Sequence, residues 1–279
     1  MEKVTIRIPA STSNLGPGFD CLGVALQIYN SITIRRAKDR QRQEKIVAQA
    51  ADLFFKRTKH RPFAFSCSAN EKIPRCRGLG SSATIRLGIL HGFNELCRRR
   101  LDRLSIFRIC AELESHPDNA APASFGGFTV ARGEDFQRFD VASRLKFILL
   151  IPDFEIRTSA ARKILPAKIS RKGAVESAGN ACAITAAFAS RNYQELRGAF
   201  VDHLHQPFRA RLIPILPRVI AAAEKAGALG AFLSGSGSTI CAVTLRNPQR
   251  IATAMKRAAR STSSKILITT ADNRGVQIR

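Results

Sequence analysis

The sequence predicts an α+β protein. Three observations support that class. Alternating stretches and helix-period stretches are mixed along the chain, glycine-rich turns separate several of them, and 279 residues at 45% hydrophobic content can bury a sizeable core. Taken in order, Val4–Ile8 alternates apolar and polar residues as a half-buried strand does, and Ile28, Ile32 and Ile34 suggest a second strand. Asp39 to Phe55 begins charged and becomes helix-like, with Ile46, Val47, Ala50, Leu53 and Phe54 on one face. Phe63, Phe65 and Cys67 alternate as a strand. After a glycine loop, Ile85, Ile89, Leu90, Phe93, Leu96 and Cys97 recur at helical spacing, and Ile106, Ile109, Cys110 and Leu113 mark a further helix ending before Pro117. The continuous apolar run from Phe147 to Ile151, bounded by Pro152, reads as a buried strand. Helical stretches are expected near Val175–Ala189, Tyr193–Leu204 and Pro217–Ala226, then strands at Ile240–Leu245 and Ile266–Thr269 around a basic helix. A change of lobe is placed near Arg144, dividing the chain into 1–144 and 145–279.

No apolar run approaches the roughly 20 residues that span a bilayer, and the N-terminus enters strand-like sequence without a signal-peptide core. Seven scattered cysteines with no Cys-x-x-Cys pair support neither a disulfide framework nor a zinc site, and point to reduced thiols in a cytoplasmic protein. The net charge of +24 fits a nucleic-acid binder, a compositional bias, or steering toward an anionic substrate. Basic residues are densest between Arg35 and Arg61, at Arg98-Arg99-Arg100, and from Ala254 to Lys265. With two tyrosines and no tryptophan, a base-stacking platform would rest on phenylalanine, so no specific nucleic-acid function is expected.

Three motifs carry chemistry. Pro74-Arg75-Cys76-Arg77-Gly78-Leu79-Gly80-Ser81-Ser82-Ala83 reads as a phosphate cradle opening a helix: the glycines allow close backbone approach, and the helix start offers unpaired N–H groups and hydroxyls to an anion. No Gly-Lys-Ser/Thr ending is present, so charge compensation is expected from a metal ion and Arg77. An ordinary serine cap after a glycine turn fits the same residues. The second motif, Pro9 to Asp20, contains Asn14 and Asp20, a polar pair able to grip hydroxyl or amino groups, and also fits an Asx-rich turn. The third, Gly230 to Thr239, is a glycine loop or a glycine-rich hairpin before a strand.

Together, in this order and spacing, the three motifs resemble those of the GHMP kinases, and the branch resembled is that of the homoserine kinases. Asn14-Leu15-Gly16-Pro17-Gly18-Phe19-Asp20 is similar to that branch. So are His116-Pro117-Asp118-Asn119-Ala120-Ala121-Pro122 with Gly126-Gly127-Phe128, Arg157-Thr158 with Ala161-Arg162 and Leu165-Pro166, and His205-Gln206-Pro207-Phe208-Arg209 with Leu212-Ile213-Pro214. The resemblance runs from Val4 to about Ile268, leaving out Arg35–Arg61 and the C-terminal tail. It implies a two-lobe α+β fold, with an N-terminal lobe like domain 2 of ribosomal protein S5 and a ferredoxin-like C-terminal lobe. It also implies ATP and Mg²⁺, transfer of phosphate to the hydroxyl of L-homoserine, and a homodimer.

The resemblance also assigns roles. Pro74, Arg77, Gly78, Leu79, Gly80, Ser81, Ser82 and Ala83 would hold ATP. Ser82 and Glu114 would hold Mg²⁺, with Glu112 the alternative acid. Asn14, Asp20, His116, Asn119, Thr158, Arg162 and Arg209 would hold the acceptor, the two arginines clamping its carboxylate. Asn119, Asn14 and Arg162 form the expected catalytic set. Asn119 stands where related kinases carry an aspartate base; an amide cannot take a proton, so catalysis by positioning is expected, with the neighbouring Asp118 facing away. Thr84, Ser115 and Ser238 stand where alanine, glycine and proline are usual, and Ser238 is expected to loosen its loop. The rivals are another small-molecule kinase and a catalytically lapsed basic binding protein.

Overall fold

The computed structural model describes residues 2–39, 41–98 and 100–279; Arg40 of the basic Arg35–Arg61 segment and Arg99 of the Arg98–Arg100 cluster lie outside the described residues. Two antiparallel sheets organise the chain. The first contains β1 (Lys3–Ser13), β2 (Leu22–Arg36), β3 (Phe65–Asn70), β4 (Phe128–Arg132), β5 (Asp135–Phe139) and β10 (Gln277–Ile278), in the order β10-β1-β2-β4-β5 with β3 also paired to β2. The second holds β6 (Lys146–Pro152), β7 (Gly230–Leu233), β8 (Ile240–Thr244) and β9 (Ser264–Thr269), in the order β7-β8-β6-β9. Helices α1 (Lys45–Thr58), α2 (Ser81–Leu96), α3 (Arg103–Glu114) and α4 (Pro117–Phe125) share a core with the first sheet. Then come α5 (Thr158–Lys163), α6 (Arg171–Ser190), α7 (Gln206–Arg209), α8 (Leu216–Lys225) and α9 (Pro248–Ala259). None of the described helices is long and apolar enough to cross a membrane, and all seven cysteines are free.

Side-chain alternation explains how the layers stack. On β6, Phe147 and Leu149 enter a core shared with Phe128, Phe188 and Phe232, while Ile148 and Leu150 enter a second core with Val219 of α8 and Ile251 of α9. Both faces of this strand are buried, which is why it reads as an unbroken apolar run. On β1, Val4, Ile6 and Ile8 face the helices. A bulge between Pro9 and Ala10 then flips the alternation, so Ala10 joins the core between the sheets. The flip turns Ser11 and Ser13 toward α4, where both bond to Asn119.

Some expected elements differ. The helix expected over Tyr193–Leu204 is only a 3-10 turn at Tyr193–Leu196. Gly198 has φ +76°, and the Asp202 carboxylate instead accepts backbone N–H groups from Leu204, His205 and Gln206, which shapes the approach to α7. The helix marked by Ile106–Leu113 does end before Pro117, at Glu114, and Pro117 then starts a separate helix, α4, at a position where a missing N–H costs nothing. Gly230–Thr239 is both strand and loop, because its first four residues form β7 and hairpin onto β8.

Candidate functional site

The three motifs meet around one cavity of about 500 Å³. Backbone and hydroxyl hydrogen bonds tie them together. Ser11 N–H donates to the Leu79 carbonyl at 3.2 Å, Thr239 N–H to that of Arg77 at 3.2 Å, and Gly235 N–H to that of Ser13 at 3.0 Å. Ser234 Oγ donates to the Gly78 carbonyl at 2.6 Å. Such contacts leave no room for side chains: a Cβ on Gly78 would lie 2.0 Å from the Ser234 carbonyl oxygen, and one on Gly80 would lie 2.2 Å from Ser11 Oγ. Both glycines also have φ near +70°. The loop thus needs glycine because of its protein neighbours, beyond any ligand.

At one end of the cavity, the N-terminus of α2 presents Ser81 and Ser82, with Gly80 as its left-handed cap. Ser82 Oγ donates to Glu114 Oε2 at 2.8 Å, and Glu114 Oε1 is ion-paired with Arg86. Ile46 from α1, Ile85 from α2 and Leu113 from α3 supply apolar wall, suited to a flat heterocycle. Glu112 points elsewhere, in an exposed pair with Arg57 at 2.7 Å.

Charge pairs dominate the other end. Arg162 binds Asp20 at 2.6 Å, and His116 Nδ1 lies 3.7 Å from the other oxygen of that carboxylate. Asp20 is fixed at φ +59° by its own N–H, which donates to Asn14 Oδ1 at 3.0 Å, while Asn14 Nδ2 donates to the Gly235 carbonyl at 3.0 Å. Arg209 is only 2% exposed and donates to the carbonyls of Ala161 and Gly235. Burial and the nearby Arg162 lower its pKa to about 10, so it stays a cation at neutral pH. Its Nη1 also donates to His205 Nδ1 at 3.2 Å, which leaves the proton of that ring on Nε2, facing the Gly16 carbonyl at 2.8 Å. Burial pushes His205 down to about 4, consistent with this neutral form, and burial likewise lowers His116. Both guanidinium groups lie over the Phe19 ring, at 5.3 and 5.2 Å. Between the two ends sits Asn119. Its Oδ1 accepts from Ser11 at 2.8 Å, and its Nδ2 donates to Ser13 at 3.0 Å and Asp118 at 3.3 Å.

Most of the expected site residues line this one cavity: Asn14, Asp20, His116, Asn119, Thr158, Arg162, Arg209, Arg77, Gly78, Leu79, Gly80, Ser81, Ser82 and Glu114. Pro74 and Ala83 do not; Ala83 is buried in the helical core. Arg77 lines the cavity with its guanidinium bound to the carbonyls of Pro152 and Asp153 and to Glu155. Asp118 does not face away: it lines the cavity, 4% exposed, and burial pushes its carboxyl up to about 6. Ser238 does not loosen its loop, since it is fully buried and donates to the Phe154 carbonyl at 2.7 Å. Ser115 adopts φ +63°, the region that favours glycine, and Thr84 donates to the Ser81 carbonyl while accepting from Asn30. The sequence reading missed Arg86, Ser13, Ile46, Ile85 and Leu113 as lining residues. Ile46, Ile85 and Leu113 were visible only as parts of amphipathic faces, and Arg86 was one arginine among many.

Comparison with known proteins places the chain in a family. The family model for the GHMP kinases N terminal domain matches residues 45–127, and that for the GHMP kinases C terminal region matches residues 184–261. A homoserine kinase of Caldicellulosiruptor bescii is 36% identical over 299 residues, covering 99% of this chain and 96% of the relative. One from Aquifex aeolicus is 34% identical, covering 99% of each. The crystal structure of homoserine kinase from Cytophaga hutchinsonii superposes with a TM-score of 0.91 at 26% identity, covering 100% of this chain and 98% of that one. The Methanococcus jannaschii mevalonate kinase, at 16% identity and a TM-score of 0.74, covering 96% of this chain and 98% of that one, shares the fold.

Proposed function

The chain belongs to the homoserine kinases, a branch of the GHMP kinases, and from that premise we propose that it transfers the γ-phosphate of ATP to the hydroxyl of L-homoserine, yielding O-phospho-L-homoserine on the route to threonine. One observation carries the substrate assignment. Two guanidinium groups, Arg162 and Arg209, and two carboxylates, Asp20 and Asp118, share a cavity with a helix N-terminus and the Ser82–Glu114 pair. A zwitterion bearing a hydroxyl matches both signs of charge. A neutral sugar would cover these groups without compensating them.

Each end has its own task. Arg162 and Arg209 hold the acceptor carboxylate, and Asp20 with Asp118 holds its ammonium group. Asn14 keeps Asp20 in place through the Asp20 N–H. Ser82 Oγ and the Glu114 carboxylate are hard oxygens 2.8 Å apart, a donor set that fits Mg²⁺; when bound, the ion neutralises phosphate charge. Asn119 cannot accept a proton, and three hydrogen bonds fix its amide, so it aligns the acceptor hydroxyl with the phosphate. Phosphoryl transfer through a loose transition state depends mainly on alignment and charge, and the hydroxyl proton leaves to phosphate or solvent. A cytoplasmic homodimer without a specific nucleic-acid partner, with lobes dividing at residue 144 apart from the return of β10 to the first sheet, completes the proposal.

The test is ADP release with Mg²⁺·ATP and L-homoserine, beside L-serine, L-threonine, mevalonate and galactose. Turnover that requires homoserine and collapses in Arg162→Ala is expected. Turnover with a different alcohol, or none with any, overturns the assignment.

A further inference from the structure

We propose that Arg86 is the protein's own cation for the terminal phosphates of the nucleotide, held on Glu114 until they arrive. The proposal rests on the kinase reading above. The loop at Gly78–Ser82 has no lysine, so any side-chain charge that meets the phosphates beside a metal ion comes from another part of the site. Among the described residues, five arginines line the cavity. Arg75 is bound to Glu71 and Glu44, and Arg77 to the carbonyls of Pro152 and Asp153. Arg162 and Arg209 are committed to the acceptor end. Arg86 differs from these four in sharing its partner with the phosphate turn: one oxygen of Glu114 takes the Arg86 guanidinium, and the other takes Ser82 Oγ. Residues 82 and 86 are one turn apart on α2, so both project from the same face.

The pair is mostly shielded, with side-chain exposures of 16% for Arg86 and 14% for Glu114. A shielded charge that loses its partner must find another one. When Glu114 turns to a metal ion, the guanidinium is therefore released beside the α2 N-terminus. Its planar fork suits two phosphate oxygens, which a lysine would meet only as a point charge. Before binding, the same pair keeps Glu114 next to Ser82 and neutralises the guanidinium beside the positive end of α2.

Calorimetric titration of full-length protein with Mg²⁺ and a non-hydrolysable ATP analogue, and separately with AMP, tests this. Arg86→Met is expected to weaken the analogue about tenfold or more while AMP, which lacks the terminal phosphates, binds about as before; Arg86→Lys should fall between. Glu114→Gln provides an independent variant. With its guanidinium freed from the start, it should bind the analogue without metal more tightly than the wild type. Equal losses for the analogue and AMP in Arg86→Met overturn the proposal, and so does weaker metal-free binding in Glu114→Gln. A wild type that binds neither nucleotide would instead refute the kinase reading.

Discussion

Replacing Asp118 by asparagine should stabilise this protein while damaging its acceptor site, and the size of the effect follows from burial. Asp118 is 4% exposed, and burial raises its carboxyl from 3.8 to about 6, with the nearby Asp20 pushing the same way. A gap of about two units at roughly 1.4 kcal/mol each means that the carboxylate costs the fold about 3 kcal/mol once fully ionised. Because the folded-state value is the higher one, the native state binds the extra proton, and stability falls as pH rises through the window from about 4 to about 6. The amide of Asp118→Asn would keep an acceptor for Asn119 Nδ2, which now donates to Asp118 Oδ1 at 3.3 Å, and would carry no charge. The variant should therefore unfold roughly 5–10 °C higher at pH 8 and at nearly the wild-type temperature at pH 4. Thermal unfolding followed by circular dichroism across pH 4–8 measures this directly. In parallel, KM for L-homoserine should rise, because one of the two carboxylates proposed to hold the ammonium group is gone. A loss of stability at pH 8, or a gain of equal size at pH 4, would refute the burial argument.

Gly78→Ala should destabilise the fold by about 1–3 kcal/mol and weaken ADP binding, because its Cβ would lie 2.0 Å from the Ser234 carbonyl oxygen at φ +71°; urea unfolding and ADP titration check it. Glu114→Ala should raise the Mg²⁺ concentration needed for half-maximal turnover by about tenfold or more. Glu112→Ala should leave it unchanged, since that acid sits in an exposed pair with Arg57. Asn119→Ala should lower kcat by roughly 10–100-fold with little change in nucleotide affinity, which single-turnover kinetics can separate from binding. Full turnover in Asn119→Ala would contradict the positioning role.

The sequence was most legible where backbone needs select the residue type. Gly78 and Gly80 are required by close contacts and by left-handed backbone, so glycines announced the loop even though their tightest neighbours, Ser234 and Ser11, come from distant segments. Phe147–Ile151 announced a buried strand because both of its faces are covered. Irregular backbone was less legible. Nothing in the Pro9-Ala10 dipeptide shows that the pairing register shifts there, yet that bulge turns Ser11 and Ser13 toward Asn119. Tyr193–Leu204 carried a helical pattern, but Gly198 and the Asp202 cap took the backbone elsewhere. The last strand, β10, was invisible because two residues carry no periodicity; it pairs with β1 only through long-range closure of the chain.

The two ends of the cavity differ in the same way, and this explains why the arginines were harder to assign than the glycines. The nucleotide end is built largely from backbone: a helix start and a glycine loop braced by hydrogen bonds to the two other motifs. The acceptor end is built from side-chain charge, and there the residue type alone says little among 45 lysines and arginines; only the motifs around Arg162 and Arg209 single them out. What distinguishes Arg162, Arg209 and Arg86 is their partners. Arg162 meets a carboxylate held by a left-handed turn at Asp20, Arg209 is enclosed by carbonyls and a neutral histidine, and Arg86 shares Glu114 with Ser82. Each of these cations is neutralised or enclosed before any ligand binds, so the +24 charge belongs mainly to the surface rather than to the site. There it can draw an anionic substrate toward the protein, while in the proposed mechanism recognition exchanges the internal partners for the phosphates and carboxylate of the substrates.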